Sequence, residues 1–226
     1  MSIDLSENPS FQEQYERIKF LKEDFDKKEG WIRIMKGEKD CYWKKMFPES
    51  TIPLKVVFTF KLNMPAKAFS GMLSFEDVDF RKKWDKTFQD TEQLKKIEGV
   101  GNVIYVKAPL SFPFADRYFT LLGNDTHEVD WYGEKSYVNT VHNYKWDEPL
   151  PQAEGFVHAS NGGNFYVVTP TDEETCSVFA LSNNDYGGIM GKSFFRNLVA
   201  KKVANTFHDY LDNIDEGYER FYKTKT

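Results

Sequence analysis

Between Phe195 and Ile214 apolar side chains return at spacings of four, four, four, three and four: Phe195, Val199, Val203, Phe207, Tyr210 and Ile214. That is the period of an α-helix burying one stripe. At roughly 1.5 Å per residue such a helix is about 30 Å long, enough to lie across a whole sheet. A polar, Gly-rich turn from Asn183 to Gly191 leads into it. Its front end is unlike a plain core helix. Phe194 and Leu198 lie off the stripe, and Lys192, Arg196, Lys201 and Lys202 crowd the first half with no acid among them. Cations near a helix N-terminus oppose the macrodipole. Two readings stay open: a solvated face with two apolar residues covered by a loop, or a patch that meets an anionic lipid surface.

The pattern upstream predicts the sheet. Residues 1–9 read as a loose tail. Ser10 and Glu13 form a capping box before Phe11, Tyr15, Ile18, Leu21 and Phe25, a helix that Gly30 ends. WIRIM from Trp31 and CYWKKM from Cys41 predict a hairpin, and LKVVFTFKL from Leu54 a third strand. Pro65 opens a helix with Ala66, Phe69 and Leu73 on one face, and Ser74 and Asp77 suggest a cap for another that carries FRKKWD. β-type runs then follow: QLKKI, NVIYVK, RYFTLLG, SYVNTVHNY, a pair broken at Asn161-Gly162-Gly163, and CSVFALS. Consecutive short strands favour antiparallel pairing. The expectation is one α+β domain over residues 1–226, similar to the helix-grip fold. A curved antiparallel sheet would wrap around the long C-terminal helix and enclose a cavity.

Composition narrows the function. Aromatic content is 16%, with 20 Phe and 12 Tyr, more than a core of this size needs. The formal net charge of −5 argues against duplex nucleic acid as a partner. Two cysteines, Cys41 and Cys176, make no disulfide framework and point to a reducing, cytoplasmic setting. MSIDLSENPS has no apolar signal region, and no apolar run approaches the ~20 residues of a membrane span. His127, His142, His158 and His208 have no metal-ligand spacing and no nucleophile elbow occurs, so neither metal nor cofactor is expected.

Three features carry candidate chemistry. On a helix, Val78, Arg81, Asp85 and Phe88 share one face, which puts the Arg81–Asp85 pair on an apolar stripe. It is either a partly exposed salt bridge or an inward guanidinium, tied by Asp85, that meets a polar head group. The segment APLSFPFADR, with Pro109, Phe112, Pro113 and Phe114, is a stiff apolar loop that covers a core edge or acts as a lid or membrane contact. His158, on a β-run, is a structural histidine or a cavity-facing one.

FRKKWD (Phe80–Asp85), FPFADRYF (Phe112–Phe119) and NNDYGGIMGKSFFRN (Asn183–Asn197), in that order and spacing, resemble a StAR-related lipid-transfer (START) domain over roughly residues 10 to 215. The subgroup most similar is that of the phosphatidylcholine transfer protein. The resemblance implies a tunnel holding one lipid, with the last helix and the Pro-rich loop as a membrane gate: Pro109, Phe112, Pro113, Phe114, Lys192, Phe194, Phe195 and Leu198. It implies Arg81, oriented by Asp85, at the phosphoryl group with Asn164 nearby. Phe75, Tyr105, Val106, Phe119, Gly162, Val199 and Val203 would line the pocket. The choline cage is incomplete. Val106 and Gly162 stand where rings are expected, and Asp116-Arg117 reverses the usual order. Gly162 would leave room for a different or larger ligand.

The implied function is non-enzymatic carriage of one lipid, a phospholipid first, by a monomer that touches membranes transiently. A sterol or ceramide carrier, a lipid sensor, and a helix-grip cyclase or hydrolase using His158 or Arg81–Asp85 are the alternatives.

Overall fold

A computed structural model describes residues 3–88, 90–108, 115–150 and 154–223. In chain order it has α1 (Phe11–Lys27), β1 (Ile32–Lys36), β2 (Asp40–Met46), β3 (Leu54–Leu62), α2 (Ala66–Leu73), α3 (Val78–Trp84), β4 (Thr91–Ile97), β5 (Gly101–Ala108) and β6 (Arg117–Asn124). There follow β7 (His127–Trp131), β8 (Glu134–Asn143), β9 (Val157–His158), β10 (Ser160–Asn161), β11 (Asn164–Pro170), β12 (Cys176–Ser182), β13 (Asn184–Asp185) and α4 (Arg196–Gly217). The main sheet runs β1-β2-β3-β12-β11-β8-β6-β5-β4, each neighbour antiparallel. β7 pairs with β8, β9 bridges to β6, and β10 and β13 form a separate ribbon.

Strand alternation divides the interior. On β3, Val56, Phe58, Phe60 and Leu62 point to the face covered by α2, α3 and α4, whereas Val57 points to the face covered by α1. The helix-grip expectation holds: a curved antiparallel sheet carries the long C-terminal helix across one face. On α4, Val199, Ala200, Ala204, Tyr210 and Ile214 are buried, and the half-buried Phe207 stacks on Phe58 at 4.3 Å between centroids. Two alanines widen the stripe and let the helix sit close. Phe195 falls in a short turn just before α4.

Four local expectations need correction. Residues 3–9 are not a loose tail. Ile3 is buried beneath α1 and its carbonyl accepts from Arg17 Nε at 2.7 Å; the Asp4 carboxylate accepts from Thr51 N at 2.9 Å. The capping box is open: Ser10 Oγ accepts from Glu13 N, but the Glu13 carboxylate takes Ser6 N and Oγ instead. β7 was not anticipated, because its hairpin turns through Tyr132 (φ 55°) and Gly133 (φ 90°) without the usual Asn or Asp cue. Finally, α3 stops at Trp84, so Asp85 and Phe88 reach the Arg81 side through an extended cap and a turn, not along a helix face.

Two polar contacts tie elements that lie far apart in sequence. His208 Nδ1 on α4 lies 2.6 Å from Asp40 Oδ2 on β2, and that hydrogen bond raises the imidazole pKa. Lys55 on β3 is fully buried, and its Nζ donates to Ser50 Oγ at 2.7 Å, the Ile52 carbonyl and Asn183 Oδ1 at 3.0 Å. Burial, reinforced by Arg17, pushes its pKa down to about 7 from 10.5. The folded chain therefore gives up this proton near neutrality, while the unfolded chain keeps it until about pH 10. Within that window the unfolded state binds more protons, so stability rises with pH. The urea midpoint of the parent chain should climb between about pH 7 and about pH 9 relative to Lys55→Met measured in parallel. A flat or falling difference would show that Lys55 stays charged in the fold.

Candidate functional site

Between α4 and the covered sheet face lies a cavity of about 430 Å³. Phe58, Val106, Phe119, Leu121, Val141, Val199, Val203 and Phe207 make its wall mainly apolar, and Asn161, Asn164, Asn184, Thr87 and Arg81 are among its polar groups. This is the composition of a site for a largely apolar ligand with one polar end.

Arg81 is the most constrained of these polar groups. Asp77 caps α3 by accepting from Phe80 N at 2.8 Å, which sets the short helix so that Arg81 turns inward and is 4% exposed. Its guanidinium lies against the rings of both Phe75 and Phe88, 4.3 and 4.1 Å from their centroids, in cation–π contact. Phe75 comes this close to β6 because Gly123 lies beneath it; a Cβ there would fall 2.2 Å from the ring. Arg81 Nε donates to Asp85 Oδ2 at 3.1 Å and Nη1 donates to the Leu73 carbonyl. Asp85 is fully buried and accepts three more bonds: from Tyr210 OH at 2.9 Å on Oδ2, and from Thr87 N at 3.0 Å and Thr87 Oγ1 at 2.6 Å on Oδ1. Burial first and the Asp85 charge next raise the Tyr210 pKa well above the ordinary value, which keeps the phenol protonated and donating. The carboxylate is thus saturated by protein. Arg81 Nη2 has no hydrogen-bond partner among the described residues, on a side chain that lines the cavity. A planar, permanently charged donor held at the wall of an apolar cavity suits an anionic oxygen.

The other expected residues divide. Val106, Phe119, Asn164, Val199 and Val203 line this cavity. Asn164 is fixed by Asn183 N, which donates to its Oδ1 at 2.7 Å. Phe75 and Asp85 lie behind Arg81 instead of on the wall. Tyr105 is displaced to the opposite face of the sheet, where its ring meets Tyr118 at 5.7 Å; neighbours on a strand cannot both face inward, and Val106 takes the inner side. Gly162 also lies off this cavity. It borders a second, outer pocket and the Asn183 amide packs against it, donating to its carbonyl at 2.9 Å, so it leaves no extra room for the ligand. His158 is exposed, stacks near Tyr118 at 5.0 Å and borders the same outer pocket, which removes it as a base for chemistry in the inner one.

Of the expected gate, Pro109, Phe112, Pro113 and Phe114 lie outside the described residues. Lys192, Phe194 and Phe195 precede α4 and Leu198 sits in its first turn; Phe194 is 71% and Leu198 53% exposed. Arg117 pins the start of β6 by donating to the Tyr186 and Ala115 carbonyls. Thr87 and Tyr210 were missed as partners of Asp85. The signal available was chemical: a buried carboxylate needs several donors, and a tyrosine within an apolar stripe needs a partner for its hydroxyl.

The family profile for the START domain matches residues 10–216. The chain belongs to the START domain family. Solved START structures agree in fold. Human STARD10 superposes with a TM-score of 0.75 at 16% identity, covering 96% of this chain and 83% of that one. Human StAR-related lipid transfer protein 5 gives 0.70 at 13% identity, covering 92% and 97%. A StAR-related lipid transfer protein fragment from Xanthomonas axonopodis gives 0.60 at 15% identity, covering 84% and 99%. No curated protein sequence matches the chain. Among the described residues of this START chain, no helix is long and apolar enough to cross a membrane.

Tyr210→Phe tests the network directly. The ring is conserved in shape, and a buried carboxylate loses one donor, which should cost about 1–3 kcal/mol in urea unfolding. A change under about 0.5 kcal/mol would mean that Asp85 does not depend on α4.

Proposed function

We propose that this START chain carries one phospholipid in the inner cavity and exchanges it at a membrane surface, with no chemical step. The observation that carries the reading is the guanidinium of Arg81. It is tied on Nε and Nη1, unpartnered at Nη2 among the described residues, and set in the wall of a mainly apolar cavity. Acyl chains would occupy the apolar part and the phosphoryl group would meet Arg81. Asp85 would orient the guanidinium from behind, and Asn164 would stand beside the head group. Two of the structural neighbours bear lipid-transfer names, which agrees with this assignment.

The membrane contact would be the front of α4. Phe194 and Leu198 offer exposed apolar area, and Lys192, Arg196 and Lys201 surround them with positive charge. Such a surface binds anionic head groups while the apolar side chains enter the interface. In this reading the chain works as a monomer in the cytoplasm and attaches to membranes only peripherally. Catalysis is not favoured: Asp85 is saturated with donors and His158 faces the outer pocket.

The first experiment is mass spectrometry of organic extracts from the purified chain, which should show co-purifying phospholipid. Protein that is recovered empty and takes up nothing from vesicles would sink the reading. Arg81→Leu alone would orphan a buried carboxylate at a cost of about 3–5 kcal/mol, so Asp85→Asn accompanies it. The double variant should take up phospholipid about tenfold or more less well, the factor one charge-assisted hydrogen bond supplies, and retain sterol uptake if it has any. Equal losses for both lipids would count against a phosphoryl contact. Separately, Lys192→Gln, Arg196→Gln and Lys201→Gln together should slow transfer from anionic vesicles while bound-lipid content stays the same. Unchanged transfer would return this surface to an ordinary solvated face.

A further inference from the structure

The charges at the cavity wall narrow the ligand further, on the premise that the cavity holds a phospholipid. Among the described residues three cations line it, Arg81, Lys86 and Lys202, and no Asp or Glu does. Asp85 lies behind Arg81 and neutralises that one alone. Lys86, in the turn after α3, is exposed; Lys202, on the second turn of α4, is half-buried; neither has a salt-bridge partner among the described residues. The two lysines come from different elements, the turn and the covering helix, and both line one space. Arg81 and the half-buried Lys202 sit in mainly apolar walls where charge is poorly screened, and Lys86 adds its charge from the exposed rim, so a ligand that brings compensating charge gains more than it would in water.

Among the described lining residues no carboxylate can pair with a quaternary ammonium, and several of the rings already give one face to a neighbour. Phe88 presents its face to Arg81, Phe58 and Phe207 stack on each other, and Phe119 meets Tyr186 edge to face at 6.2 Å. A zwitterionic head group would therefore bring its phosphate to Arg81 and leave its positive end among cations. An acidic head group, a phosphate monoester or a phosphodiester bearing only hydroxyls, has no such end. The amides of Asn161, Asn164 and Asn184 can serve its hydroxyls. We infer that the chain selects acidic phospholipids over zwitterionic ones, with Lys86 and Lys202 as the selecting residues and Arg81 as the anchor common to both classes.

The test uses vesicles that hold phosphatidylcholine, phosphatidylglycerol and phosphatidic acid in equal amounts with identical acyl chains. Because all three share one bilayer, attraction of the protein to the surface is common to them and cannot bias the ratio. The chain is incubated, repurified and extracted, and bound lipids are counted by mass spectrometry. The acidic lipids should be enriched about tenfold over phosphatidylcholine, the factor of one charge-assisted hydrogen bond. Lys86→Gln with Lys202→Gln should bring the ratio to within about twofold of parity. Parity or a preference for phosphatidylcholine in the parent chain overturns the inference and leaves phospholipid carriage standing. No lipid of any class overturns the carriage reading itself. A calorimetric arm with inorganic phosphate separates the sources of the anion: tight phosphate binding without lipid uptake would make this a free-phosphate site and overturn both.

Discussion

The arrangement rests on one buried ion pair. A guanidinium and a carboxylate removed from water are tolerated only when their remaining hydrogen-bonding positions are filled. Asp85 meets that condition in full, and Arg81 meets it on Nε and Nη1, by recruiting the last carbonyl of α2, the Thr87 turn and Tyr210 of α4. An apolar stripe by itself would let α4 slide or roll over the sheet at modest cost. The Tyr210 hydroxyl has a single place to donate, and this gives the helix its register. One demand thus positions four segments and leaves one guanidinium nitrogen without a partner among the described residues, on a side chain that lines the cavity.

The same helix is held unequally along its length. Its second half carries the buried bond from Tyr210, the His208–Asp40 contact and the close packing of Gly217 against Trp84. Its first half is tied to the sheet by Lys44 to Asn197 Oδ1, an exposed contact, while Phe194 and Leu198 face outward. Segments with few buried contacts open at lower free energy than the whole domain unfolds. Val199, Ala200 and Ala204 still pack the first half against the sheet, so the difference lies in the polar ties and not in the apolar ones; in the proposed reading, the less tied end is where a ligand would enter.

How much of this was legible in the sequence depended on what each residue's signal reports. The stripe of α4 and the runs of β3, β5, β6 and β12 were plain, because burial of one face leaves a period of 3.6 or 2 in the chain. The Arg81–Asp85 pairing was legible from opposite charges four residues apart, though its burial stayed open between two readings and the helix that was to carry both ends at Trp84. Tyr105 was misplaced because a resemblance aligns positions without fixing which of two neighbours faces inward; the pleat decides, and it chose Val106. Gly162 was misread because an absent side chain looks like free space until a neighbour fills it, here Asn183. Ile3 and Asp4 gave no warning, for their partners on α1 and near Ser50 are distant in sequence and local periodicity cannot report them.

Net charge shows the same gap between bulk and place. The chain carries 35 acidic and 30 basic residues, which on average would repel an anionic surface. Yet the front of α4 has Lys192, Arg196, Lys201 and Lys202 and no acid, and the acids Asp209, Asp212, Asp215 and Glu216 follow on the later turns. With a Debye length of about 8 Å at physiological salt, an approaching membrane senses the nearest turns of the helix and little of the rest. In the proposed docking this distribution would orient the molecule as well as attract it, with the basic, apolar front toward the surface and the acidic rear turned away. Lys202 stands at the join, on the basic stretch of the helix and yet on the cavity wall. An anionic head group that leaves the bilayer would pass from the outer cations to this one and then to Arg81 without crossing a region of negative charge. Continuity of charge along that path would lower the electrostatic barrier to extraction, and the covering helix would supply most of it from successive turns of one element.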